Sequence, residues 1–572
     1  MIGVFGYLVA RSARNRVVRQ LRHLRSPRYV VALLLGLAYI WVIAVEQRPA
    51  PAPATVATAR VVELAGSLAV LGAVAWGWVL GVERRVLAFT PAEVTFLFPG
   101  PVSRRGLIQF KLLRTQLLIL LNVFLWTLIL SREPFGVSHW LRAVSIWVLL
   151  TTLSLHRLGA SFVRNSLLEH GRIGLRHRVV ALSVLAAVAG GLGWGVVEAL
   201  PAITAGWSGG ITGFLTALGE AGARPVVHAM LSPFRLMVRP LAAATTADWL
   251  ASIGPAAGVL LLHYVWVIRS DTAFEEAAVE TSLRRAQRLA ERRSGSPDRA
   301  PRSAWHTSPP LVRLAPTGWP GGAILWKNVV AVTRARRLRS TAVALVVVAA
   351  AVTALSLGPG ATMAEIAGWF AAMWAGFMLV VGPQWVRNDL RGDLLKLDLL
   401  RSYPLPGSSV VAAEAAASTL ILTLIQLALL LVAFLAFLGN ETLEPDLRQR
   451  ALLLGAAVLC LPGVNFAGML IQNGAAILYP AWVHLGSGRP GGIEALGQNM
   501  LMLVAFGALL ATLLLPAVAV GGGTFLLLRP SIASWAIAPG MVLGLAVLAF
   551  ECALIVNWLG GVFERTDPAE IH

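Results

Sequence analysis

The sequence predicts an all-α polytopic integral membrane protein with about twelve transmembrane helices, arranged as two parallel six-helix repeats. Three observations carry this: the composition, the spacing of long apolar runs, and a motif that recurs in register in the two halves. The 572 residues are 57% hydrophobic and 13% charged, with a mean hydropathy of +0.72. A soluble globular chain carries roughly 25% charge. With so little charge, the chain cannot clothe several soluble domains, and a bilayer is the environment that suits it.

A hydrocarbon core of about 30 Å is crossed by about 20 apolar residues at 1.5 Å rise each. In the first half such runs fall at 29–45, 62–82, 112–130, 141–162, 179–200 and 250–268. In the second half they fall at 340–357, 366–386, 411–438, 451–471, 500–528 and 532–559. The first run follows a basic segment, and Ala50-Pro51-Ala52 resembles a small-residue cleavage site. Its apolar core nevertheless exceeds the roughly 7–15 residues of a signal peptide, and Pro53 would follow the cut, so it reads as a retained anchor.

The net charge of +20 arises from 48 Lys+Arg against 28 Asp+Glu. Lysine occurs only at Lys111, Lys327 and Lys396, so the cations are overwhelmingly arginine. Long apolar runs separate the basic clusters, which favours membrane topology over nucleic-acid binding as their cause. Arg11, Arg14, Arg16, Arg19, Arg22, Arg25 and Arg28 precede the first run, and Arg84, Arg85, Arg104, Arg105 and Lys111 separate the second from the third. Cytoplasmic loops accumulate such cations. The expectation is therefore a multi-pass protein of the cytoplasmic (inner) membrane with both termini inside.

Three regions follow. Residues 1–268 form the first six-span repeat, led by a basic amphipathic helix at 7–28 whose apolar stripe includes Val17, Val18, Leu21 and Leu24. Such a helix lies in the membrane interface, where anionic headgroups attract it. Residues 269–322 form a cytoplasmic helix and a flexible linker: acids at Asp271, Glu275, Glu276 and Glu280 precede cations at Arg284, Arg285, Arg288, Arg292 and Arg293, the order a helix dipole favours. Residues 323–572 form the second repeat, whose lead-in segment 323–339 carries Trp326, Lys327, Arg334, Arg336, Arg337 and Arg339. The long outer connection 201–248 is expected to pack on the membrane surface or to re-enter partway.

The repeat is visible in a gapless match. Glu93-Val94-Thr95-Phe96-Leu97-Phe98-Pro99-Gly100-Pro101-Val102-Ser103 aligns with Asp398-Leu399-Leu400-Arg401-Ser402-Tyr403-Pro404-Leu405-Pro406-Gly407-Ser408. An acid, an aromatic, a Pro-x-Pro and a Ser recur in register, each time between the second and third runs of a half. Leu24-Arg25-Ser26 and Leu338-Arg339-Ser340 open the first and seventh runs, and Phe274-Glu275 and Phe563-Glu564 follow the sixth and twelfth. Because both halves begin with a basic segment on the same side, the repeats are parallel rather than inverted.

Proline fixes φ near −65° and drives the preceding residue out of the helical region. The Pro-x-Pro segment is thus a stiff non-helical step, after which Ser103 can cap the helix that runs through Arg104, Arg105 and Lys111. Beside the step lies an apolar tip, Phe96, Leu97 and Phe98 in one copy and Leu399, Leu400 and Tyr403 in the other. A rigid protrusion with an exposed aromatic suits a pocket on a partner protein; an ordinary interhelical turn is the alternative.

These residues resemble a known family, the ABC exporter membrane proteins, distant relatives of the type-two ABC transporter permeases. The resemblance rests on Ser12-Ala13-Arg14-Asn15-Arg16 with Leu24-Arg25-Ser26-Pro27-Arg28-Tyr29, on Phe96-Leu97-Phe98-Pro99-Gly100-Pro101-Val102-Ser103-Arg104-Arg105, and on Phe274-Glu275-Glu276-Ala277. It implies a permease subunit of an ATP-driven exporter in which the loop between the second and third spans docks into an ATPase. Carried over, the docking residues are Glu93, Phe96, Phe98, Pro99, Pro101, Ser103, Arg104 and Arg105, and Asp398, Tyr403, Pro404, Pro406 and Ser408. Two copies of the ATPase are implied. The second loop has Gly407-Ser408-Ser409 in place of the basic pair, so the two contacts are expected to be unequal.

The chain has no GxxxxGK[ST] phosphate loop around its three lysines. Catalysis is therefore not expected of it: it binds no cofactor directly, and ATP acts through the partner. Cys460 and Cys552 lie inside apolar runs and offer no CxxC site. His170 and His177 read as surface residues and His156 and His263 as packing or interfacial ones, with no metal site expected. Among intramembrane acids, Glu198 lies near an outer helix end and Glu414 near an inner one. Glu551, deep in the twelfth run, is the candidate pathway or helix-pairing residue. A secondary transporter driven by an ion gradient and a membrane-embedded enzyme of lipid metabolism are the competing readings. The first would show more buried acids, and the second a cluster of acids or histidines at one membrane face.

Overall fold

The computed structural model describes residues 56–79, 104–129, 137–169, 172–269, 317–333, 337–358, 360–440, 445–480 and 496–566, with a few isolated positions besides. Every regular element among these residues is helical. Among the described residues eight helices are long and apolar enough to cross a membrane, and the chain is an α-helical multi-pass membrane protein. They coincide with the runs at 141–162, 179–200, 250–268, 366–386, 411–438, 451–471, 500–528 and 532–559. Residues 62–79, 112–129 and 340–356 of three further runs are helical too, the last two as shorter apolar stretches, Leu112–Thr127 and Val343–Ser356. The run at 29–45 lies outside the described residues, as does most of 269–322.

The chain divides into two compact units, Met1–Ala304 with Gly491–Asn499, and Trp305–Pro490 with Met500–His572. The first contains α1 (Val56–Val79), α2 (Arg104–Ile129), α3 (His139–Glu169), α4 (Arg172–Trp207), α5 (Gly210–Ala223), α6 (Pro225–Val238) and α7 (Thr246–Arg269). Helix α3 packs on α2, α4 and α7, and Ile119, Ile146, Leu150 and Val238 lie in its main core.

The connection 201–248 is a helical hairpin. Helix α4 runs on through Pro201 to Trp207, and α5 and α6 fold back against α1 and α4. The α4–α5 turn depends on glycine: Gly210 has φ +73°, and a Cβ on Gly213 would stand 2.4 Å from the Gly206 carbonyl oxygen. Arg235 of α6 ties the hairpin down, donating to Glu63 of α1 at 2.9 Å and to the Gly222 carbonyl at 3.1 Å. Periodicity alone left this segment undecided because its helices are too short to cross.

The second unit contains α8 (Gly322–Thr333), α9 (Arg337–Ser356), α10 (Ala361–Trp385), α11 (Leu390–Asp393), a 3₁₀ turn (Leu394–Lys396), α12 (Leu397–Arg401), α13 (Gly407–Ala436), α14 (Leu447–Leu478), α15 (Leu496–Ile532, in this unit from Met500) and α16 (Ile537–Arg565). Helix α13 is its axis, touching α8, α9, α10, α14 and α16. Its small residues explain why: Ala413, Ala415, Ala417 and Ser418 are wholly buried and let neighbours approach closely, as packing within a bilayer requires. Helix α14 starts in a capping box formed by Asp446 and Gln449. Helices α15 and α16 meet backbone to backbone where Ala517 and Gly521 face Gly540 and Gly544.

Candidate partner-docking site

The second Pro-x-Pro motif ends a compact knuckle between α10 and α13. Leu390, Leu394, Leu397 and Leu400 recur at helical spacing through α11, the 3₁₀ turn and α12, and all four are buried in the main core of the unit. The opposite face is exposed: Leu395 is 44%, Leu399 54% and Tyr403 41% accessible, with Asp398, Pro404 and Pro406 also exposed. Four buried leucines thus hold an outward-facing apolar ridge in place. Leu400, expected in the tip, faces the core instead, because the helical period places it in line with Leu397 and Leu394. Leu395, three residues before the motif, takes its place on the ridge.

The motif itself is the expected break. Pro406 is extended, with φ −63° and ψ 143°, and α13 starts at Gly407. Leu405 N–H donates to the Tyr403 carbonyl at 2.7 Å, tightening the step. Ser408 lies inside the first turn of α13, where no local side chain acts as cap. Glu564, in the last turn of α16, supplies the acceptor, receiving the Gly407 N–H at 2.7 Å. A carboxylate there also faces the positive end of the helix dipole.

The knuckle is fastened on every side. Arg401 Nη2 donates to the carbonyls of Phe563, Glu564 and Thr566 at 2.8, 2.7 and 2.6 Å, closing the C-terminus of α16. Gly407 and Gly560 bring α13 and α16 into contact, and a Cβ on Gly560 would stand 2.3 Å from the Ser408 nitrogen. Arg391 is buried, yet its guanidinium is engaged by Asp389 at 2.6 to 3.1 Å, the Val386 carbonyl at 2.7 Å and Gln472 of α14 at 3.1 Å. A buried cation is tolerated only when it is paired and hydrogen-bonded in this way.

Lead-in helix α8 adds the fourth tie. Lys327 bridges Asp393 of α11 and Glu414 of α13, the latter at 3.3 Å. Asn328 Nδ2 donates to the other Glu414 oxygen at 2.7 Å, and Asn388 donates to the Asn328 carbonyl at 2.8 Å. Glu414 has no solvent exposure, so these donors replace its hydration. Burial lowers the pKa of Lys327, but its bonds to Asp393 and Glu414 outweigh this and hold it above the usual lysine value.

The other sequence-derived site residues fall as follows. Glu93, Phe96, Phe98, Pro99, Pro101 and Ser103 lie outside the described residues; Arg104 and Arg105 open α2, and their side chains lie outside them too. Glu551 is half-buried in α16, and its Oε2 is screened from solvent with no hydrogen-bond partner among the described residues. Glu198 is 53% exposed and pairs with Arg224 at 3.1 Å.

His156 and His263 join across α3 and α7 at 3.2 Å. Trp78 Nε1, which can only donate, points at His156 Nε2 from 3.2 Å, and His263 Nδ1 faces the Val259 carbonyl at 2.8 Å. The donor order follows: His156 Nδ1–H donates to His263 Nε2, and His263 Nδ1–H to the carbonyl. Among the described residues no group of three or more His, Cys, Asp or Glu could hold a metal ion.

Sequence reasoning singled out Phe563-Glu564 as a repeat marker without seeing its role. Lys327 and Glu414 carried a signal only separately, as a lysine in an arginine-rich chain and an acid in an apolar run. The chain matches no family model, and no curated protein or solved structure is significantly similar to it.

Proposed function

We propose that the protein is the transmembrane permease subunit of an ATP-driven exporter of the ABC type, which engages two copies of a separate ATPase. The docking loops are 93–105 and 398–408, on the cytoplasmic side of the inner membrane, in two parallel six-span repeats totalling twelve spans. The observation that carries this reading is the exposed ridge of Leu395, Leu399 and Tyr403 on a knuckle tied to α8, α13, α14 and α16. A partner pressing on such a ridge moves helices rather than a slack loop. The lack of a GxxxxGK[ST] sequence around the lysines supports a reading in which hydrolysis belongs to a separate subunit.

Co-purification with an ABC-type ATPase, and loss of that binding when Phe98 and Tyr403 are both changed to Asp, is the expected result. Undiminished binding by the double variant would overturn the docking assignment. A tag in 269–320 should be protected from reagents added outside intact cells; labelling there would refute the orientation.

A secondary transporter is the second reading, favoured by the Glu551 Oε2, which is screened from solvent and has no hydrogen-bond partner among the described residues. Substrate movement that follows an imposed proton gradient without ATP, and stops in Glu551→Gln, would favour it instead.

A further inference from the structure

In the second unit α13, α14 and α16 stand apart over part of their length and leave a cavity of about 740 Å³. The gap has a cause in the sequence. Ala416 of α13, Gly463 of α14, and Ala549 and Ala553 of α16 line it, and none carries a side chain long enough to fill the space. Buried Leu548 and Cys552 form its floor, whereas Leu420 and Leu459 at its rim are 44% and 57% exposed. The cavity therefore opens on the outer surface of the helices, the surface that hydrocarbon meets in a bilayer.

Its polar side-chain lining consists of two hydroxyls, each already holding one hydrogen bond. Thr419 Oγ1 donates to the Ala415 carbonyl at 2.9 Å, and Thr423 Oγ1 accepts from Asn465 Nδ2 at 2.9 Å. A buried water needs about 2–4 polar partners, and a charged headgroup loses several kcal/mol without them. Neither is provided for. An empty slot is disfavoured as well, since its walls forfeit dispersion contacts. The lining reaches from Ala412 to Thr423 along α13, roughly 17 Å at the helical rise. The volume falls in the range of about 300–1,000 Å³ typical of ligand sites. A long, narrow, apolar slot open to the side suits a chain rather than a compact solute.

We propose that this cavity is a binding site for one acyl chain of a bilayer phospholipid, which enters sideways with its headgroup left at the membrane surface near the N-terminus of α13. The site is independent of the docking assignment. Hydrophobic transfer contributes little, because the chain comes from hydrocarbon; the selectivity arises from packing against the two alanines of α16 and Ala416.

The test uses the full-length protein in phosphatidylcholine–phosphatidylglycerol nanodiscs containing a phospholipid with a diazirine in mid-chain. A second preparation contains the same phospholipid with the diazirine on the headgroup. Tail adducts should concentrate on peptides spanning 412–423 and 545–556, about fivefold over the more exposed Leu526 and Leu527 surface. Headgroup adducts should show no such enrichment. Ala416→Phe with Ala553→Phe should abolish the enrichment, and Leu527→Phe should leave it unchanged. The milder Ala549→Leu should reduce it where the double variant fails to fold. Tail adducts spread evenly over the exposed faces, headgroup enrichment at the cavity, or enrichment that survives filling by a folded variant would each overturn the proposal.

Discussion

Glu564 Oε1 lies 2.7 Å from the backbone N–H of Gly407, so the last turn of α16 caps the first turn of α13 from 157 residues away. The bond is reciprocated by Arg401, which closes the C-terminus of α16 from the knuckle side. The two helix ends therefore stabilise each other, and the Pro-x-Pro step is held between them. Replacing Glu564 by Ala should cost about 1–2 kcal/mol, the usual worth of a cap with a favourable dipole contact. Glu564→Gln, which keeps the acceptor and loses the charge, should recover about half. Thermal unfolding of the purified protein in micelles reads both; a Glu564→Ala midpoint equal to wild type would show the cap to be dispensable.

The adjacent glycines Gly560 and Gly561 should behave in opposite ways. A methyl on Gly560 would stand 2.3 Å from the Ser408 nitrogen, within reach of backbone that cannot turn aside, whereas one on Gly561 would meet only the Arg565 side chain at 3.5 Å. Gly560→Ala should part α13 from α16 and destabilise by about 1–3 kcal/mol, as overpacking does. Gly561→Ala should be neutral or slightly stabilising through helix propensity. Equal effects of the two substitutions would show that the close approach does not constrain the pair.

Lys327→Met leaves Glu414 buried without its cation and should destabilise by roughly 1–3 kcal/mol, below the value for a fully buried pair because Lys327 itself is half-exposed. Adding Glu414→Gln should restore much of the loss, since the neutral amide still receives Asn328. The pH dependence has a definite sign. The Lys327 pKa is raised in the folded state, so its contribution is fully present below the unfolded value of 10.5 and is lost as the pH rises through the folded one. The gap in melting temperature between wild type and Lys327→Met should accordingly persist at neutral pH and narrow under strongly alkaline conditions. A gap constant across that range would exclude the ammonium as its source.

The chain of donors from Trp78 through His156 to His263 predicts coupling across three helices of the first unit. Trp78→Phe and His156→Phe should be less damaging together than the sum of the two single changes, with an interaction energy of about 0.5–2 kcal/mol. Unfolding midpoints of the two single variants and the double variant measure it directly, and strict additivity would mean the rings merely pack.

Much of the fold is local in origin and so was legible early. A run such as 411–438 is apolar on all sides, and α13 covers Gly407–Ala436. Pro406 breaks the chain because its own ring fixes φ, so the step could be placed without knowing any neighbour. Leu400 was misplaced for the opposite reason: its direction depends on a period that begins at Leu390, outside the repeated motif. The hairpin at 210–238 escaped because its helices gain stability from α1 and α4 rather than from their own length.

The sequence by itself determined an α-helical membrane protein, the positions of most of its long helices and a stiff step before α13, because apolar length, proline geometry and the cost of unpaired backbone in lipid act within a few turns of chain. Only the tertiary structure decided which face of the knuckle is exposed, that α16 caps α13, and that Lys327 serves both Asp393 and Glu414. The last two outcomes join groups 66 to 157 residues apart, and such partners are selected by packing in three dimensions, which no local pattern of residues encodes.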